Sequence, residues 1–70
     1  MMPLIYADAG EENTIRKISG NDELRQHLAD LGFVAGANVR LLSSINGNVI
    51  VSIKNTRIAL NADMARRIMI

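Results

Sequence analysis

Residues 38–54, NVRLLSSINGNVIVSIK, decide the fold. Two runs rich in valine, isoleucine and leucine flank Asn46-Gly47, and that pair tolerates the left-handed backbone needed at both central positions of a type I′ turn. The stretch therefore predicts a strand over 38–45, a two-residue turn and an antiparallel partner over 48–54. Downstream, Asn55-Thr56 predicts a second tight turn into a third strand over 57–60 (RIAL), giving a meander. Asn61 is then placed to cap a short helical turn, ADMARR, before a last strand over 68–70.

Upstream of the hairpin the period changes. Leu24, Leu28 and Leu31 recur at i, i+4 and i+7, a narrow apolar stripe for a surface helix. Asn21 is its expected N-cap, Asp22 and Glu23 complement the positive end of the helix dipole, and Gly32 is the expected left-handed residue just past its end. The turn VAGA at 34–37 fits type II geometry with Gly36 at positive φ. Before the helix, TIRKIS at 14–19 reads as a short strand broken by a bulge or bend. Together these elements predict one mainly β domain over residues 1–70. It is a small, partly open barrel of about five strands, with one inserted α-helix and a short C-terminal helical turn.

Composition narrows the function. A chain of 70 residues buries a small core, and the absence of cysteine excludes disulfides and thiolate zinc sites. The start MMPLIYADAG lacks the basic segment and long apolar run of a secretory signal, so a cytoplasmic protein is expected. Only Tyr6 and Phe33 are aromatic and the formal net charge is +1, which argues against a nucleic-acid-binding barrel and against a proline-peptide groove. Charge is uneven along the chain. Six of the seven acidic residues precede Gly32, while five of the eight basic ones follow it, and the plainer expectation is that the folded halves neutralise each other.

The order of elements, with Gly10-Glu11, Ile15, Ile18-Ser19-Gly20, LADLGFVAG at 28–36 and RIALNADMARRIMI at 57–70, resembles the FeoA family. Ala35 departs from the proline usual in that pattern. The resemblance implies an SH3-like barrel and a cytosolic accessory protein of ferrous iron uptake. Its implied partner is the cytoplasmic part of a FeoB-type ferrous iron permease, so membrane contact would be indirect. It also implies kinship with the SH3-like domain of iron-dependent transcriptional repressors; because nothing precedes the domain here, a stand-alone module is expected.

The residues themselves suggest no enzyme: His27 is the only histidine, and no nucleophile motif, phosphate loop or dinucleotide fingerprint is present. No cofactor is expected. Glu23, His27 and Asp30 fall on one helical face and are weak candidates for a divalent metal, although such clusters are ordinary on solvated helices. Leu42, Ile50 and Met69 are candidates for an exposed apolar patch serving a partner or a weak homodimer, because Leu41-Leu42 and Val49-Ile50-Val51 put apolar groups on both strand faces. The favoured expectation is that the helix stripe covers them. Residues 68–70 are a candidate open edge. Lys54, Arg57, Arg66 and Arg67 are the basic candidates for meeting an acidic partner.

Overall fold

The computed structural model describes all residues, Met1–Ile70. After a 3-10 turn at Leu4–Tyr6 come β1 (Glu12–Thr14), β2 (Lys17–Ile18), α1 (Asp22–Asp30), β3 (Asn38–Ile45), β4 (Asn48–Ile53), β5 (Thr56–Leu60), α2 (Ala62–Arg67) and β6 (Ile68–Met69). The strands form two sheets, one ordered β1-β3-β4-β5 and one pairing β2 with β6. Both are antiparallel and open, so the barrel does not close.

The strand expected over 14–19 divides, which raises the count to six. Ile15 lies at the break and is buried; its N–H donates to the Ala37 carbonyl and its carbonyl accepts from Gly36 N–H, both at 2.8 Å. The chain thus leaves one sheet, is clamped against the loop before β3, and enters the other. Two hydrogen bonds to a turn replace the ladder that a continuous strand would have needed.

The main hairpin forms as its sequence dictates, with Asn46 at φ 53° and Gly47 at φ 83°. The second turn sits one residue earlier than expected. Its central residues are Lys54 (φ 51°) and Asn55 (φ 62°), and Thr56 already pairs with Ile53. Packing sets this register: Val49, Val51 and Ile53 face inward from β4, and only this turn brings Ile58 and Leu60 of β5 to the same face, opposite Val51 and Val49.

Helix α1 has both expected caps. Asn21 Oδ1 accepts from Leu24 N–H at 2.8 Å. At the other end Gly32, at φ 105°, donates to the Ala29 carbonyl while Phe33 donates to the Leu28 carbonyl, the two bonds of a Schellman ending. That ending drives Phe33 into the core beside the helix, and both Phe33 and Leu28 are fully buried. The rest of the stripe is less covered: Leu24 is half-buried and Leu31 is 37% exposed. In α2, Asn61 Oδ1 accepts from Met64 N–H at 2.8 Å.

All thirteen buried residues are apolar. Among them is Leu4 from the N-terminal turn, which has no amphipathic period in the sequence to announce it. The last strand is not an open edge. β6 pairs with β2 on one side, while on the other Pro3 bridges Met69 and Met2 and Ile70 exchange hydrogen bonds at 2.9 and 2.8 Å.

Candidate protein-docking face

The outer face of the four-stranded sheet follows from the alternation just described. In β4, Val49, Val51 and Ile53 point inward, leaving Asn48, Ile50 and Ser52 outside. Ile50 is the single apolar side chain of that set and is 40% exposed. It shares a shallow depression with Ser43, Ile45 and Ala59, and Ile45 at the hairpin tip is 67% exposed. No helix residue lines this depression, so the expectation that α1 covers it fails. Leu28, turned inward with Phe33, satisfies the helix stripe instead.

Leu42 departs for a different reason. The β3–β4 register shifts between Leu41 and Ser43, so Leu42 has no cross-strand partner. It is the extra residue of a β-bulge, which lets Leu41 stay buried while Ser43 comes to lie opposite Ile50. The run Leu41-Leu42 reflects this local kink rather than a strand apolar on both faces. Met69 is half-buried in the other sheet and does not join Ile50.

The opposite end of the same face is polar. Arg40 reaches across to Glu12 at 3.0 Å and to the Gly10 carbonyl at 3.2 Å, an ion pair that joins the acidic first half of the chain to the basic second half. Lys54 stands exposed at the β4–β5 turn and Arg57 lies opposite Ser52, and neither is ion-paired. Charge neutralisation within the fold is therefore incomplete here. Of the remaining basic candidates, Arg66 is exposed on α2 and Arg67 is half-buried. Arg67 packs its stem near Gly20, and its carbonyl accepts from Ser19, which gives it a place in the scaffold.

The metal candidates do not converge. Glu23 and His27 line one shallow depression, whereas Asp30 accepts from Gln26 Nε2 at 2.9 Å. No three of the chain's His, Asp and Glu side chains are grouped closely enough to hold an ion. A separate shallow groove lies between α1 and β2, lined by the cations Arg16, Lys17 and Arg25 and by the apolar Phe33, Val34 and Ala35 among others. Sequence reasoning missed it because helix and strand meet there only through the fold. No helix is long and apolar enough to cross a membrane.

Comparison with known proteins extends this picture. A family model described as the FeoA domain matches residues 2–70. Fe(2+) transport protein A of Methanocaldococcus jannaschii is 34% identical over 70 residues, all of this chain and 85% of that protein. Among solved structures, an iron uptake regulatory protein (FeoA) superposes with a TM-score of 0.88 at 31% identity, covering 97% of this chain and 90% of the other. The zinc complex of Stenotrophomonas maltophilia FeoA, described as a procaryotic SH3 domain protein, gives 0.84 at 25% identity over 99% and 88% of the two chains. A manganese-dependent transcriptional repressor shares the fold, at 0.85 and 22% identity, over 94% of this chain and 38% of its own.

Proposed function

The chain belongs to the FeoA domain family, and from that membership we propose that it is a cytoplasmic accessory protein of ferrous iron uptake. It acts by docking on the cytoplasmic part of a FeoB-type iron permease, and it does no chemistry of its own. Supporting this reading most directly is the uncovered outer face of the four-stranded sheet, which exposes Ile50 and Ile45 toward the hairpin tip and carries the unpaired cations Arg57 and Lys54 toward its other end. An apolar anchor with a charged margin is the usual anatomy of a modest protein interface. Ile50 is the central contact, Lys54 and Arg57 steer an acidic partner surface toward it, and Leu42 holds the bulge that shapes the patch.

Titration of the purified chain against the soluble cytoplasmic domain of the permease tests this. Saturable binding is expected, lost in Ile50→Asp and weakened in Arg57→Glu while both variants keep the parent's circular dichroism. Absence of binding, or binding indifferent to both substitutions, overturns the assignment.

A further inference from the structure

The groove between α1 and β2 lies apart from the sheet face considered above and has a different construction. One wall is β2, the outer strand of the two-stranded sheet, whose side away from β6 carries no partner strand. Ser19 N–H donates to the Arg67 carbonyl at 2.8 Å, so in the alternation of an antiparallel pair the amide and carbonyl of Ile18 turn away from β6 and are free to accept another strand. The opposite wall is the face of α1 bearing Asp22, Arg25, Gln26 and Ala29. Phe33, Val34 and Ala35 contribute apolar surface to it, and Val34 is 42% exposed.

Charge selects the occupant. Asp22, the one acidic residue of the groove, is already ion-paired with Arg25. Arg16 and Lys17 are exposed and have no acidic partner anywhere in the chain. A free strand edge beside a helix, with apolar side chains and unpaired cations lining the space between them, suits an extended peptide taken up by strand addition.

We propose that this groove binds an extended acidic segment of another protein, which adds along β2 with apolar side chains against Val34 and Ala35 and carboxylates toward Arg16 and Lys17. The amide and carbonyl of Ile18 supply main-chain attachment, and the cations Arg16 and Lys17 select acidic over basic sequences. This site is independent of the permease-docking face, so the chain could hold two partners at once.

The test is an amide-resolved NMR titration of the full chain with a short synthetic peptide of alternating glutamate and valine, using the lysine-valine counterpart as control. The acidic peptide is expected to shift the amides of Lys17, Ile18, Ala29 and Val34 saturably. Arg16→Glu and Lys17→Glu should each weaken it about fivefold, as loss of an exposed ion pair does, and added salt should weaken it further. Equal binding of the basic peptide, shifts confined to the outer face around Ile50, or concentration-dependent shifts without peptide that mark a second copy in the groove would each overturn the proposal. None of these readouts involves the permease, so the two assignments fail separately.

Discussion

The two faces of the four-stranded sheet are made from alternate residues of the same strands and carry different side chains. Inward, Val49, Val51 and Ile53 meet Leu60 and the half-buried Ile58, and all but Ile58 have almost no exposure. Outward, the neighbours of those residues are small or polar except for Ile50 and Ile45. One side-chain step along β4 thus separates a position that holds the fold from one that is free to serve a partner. The contrast teaches that an apolar residue in this chain cannot be assigned by hydrophobicity alone; its parity in the strand decides.

Substitutions can break that contrast or sharpen it. The largest effect is expected from Val51→Asp, which buries an unpaired carboxylate in a core with no polar residue. It should leave the chain without a cooperative thermal transition, a loss of several kcal/mol in a domain this small. Val51→Ala removes two methyl groups and leaves a small cavity, and should cost about 2 kcal/mol in denaturant midpoint measurements. At the turns joining the faces, Gly47→Ala forces a side chain to φ 83° close to Ala62 and should cost about 1–2 kcal/mol. Lys54→Gly relieves the same kind of strain at φ 51°, so it should be neutral or stabilise by less than about 1 kcal/mol. The smallest effect is expected at Ile50→Thr, within about 0.5 kcal/mol of the parent. A loss at Ile50 as large as that at Val51 would mean that both faces are structural.

Much of this was legible in the sequence, because the signals were local. Asn46-Gly47 announced its turn, Asn21 and Asn61 their caps, and Gly32 and Gly36 the two left-handed positions that bracket the loop after α1. Each requires only a few neighbouring residues to agree. What escaped depends on residues far apart. The turn at Lys54-Asn55 is placed by the inward register of β4 and β5 rather than by a glycine. The burial of Leu4 and the covering of the last strand come from the N-terminal residues reaching the far end of the chain. The Glu23, His27 and Asp30 grouping had the right spacing, but Asp30 bonds to Gln26, a choice that helical angles do not reveal. The resemblance supplied the SH3-like architecture, while the site had to wait for geometry, since a bulge at Leu42 and an uncovered Ile50 look alike in a string of letters.

The clasp in which residues 2 and 3 pair with 69 and 70 also bears on the order of assembly. The β3–β4 hairpin closes over two residues and can form within microseconds, whereas β2 meets β6 only after some fifty intervening residues have been gathered in, and the clasp must wait for nearly the whole chain. The strand edge at Ile18 and the groove beside it are therefore among the last surfaces to come into being. A chain frayed at its ends is expected to keep the hairpin and to lose the groove.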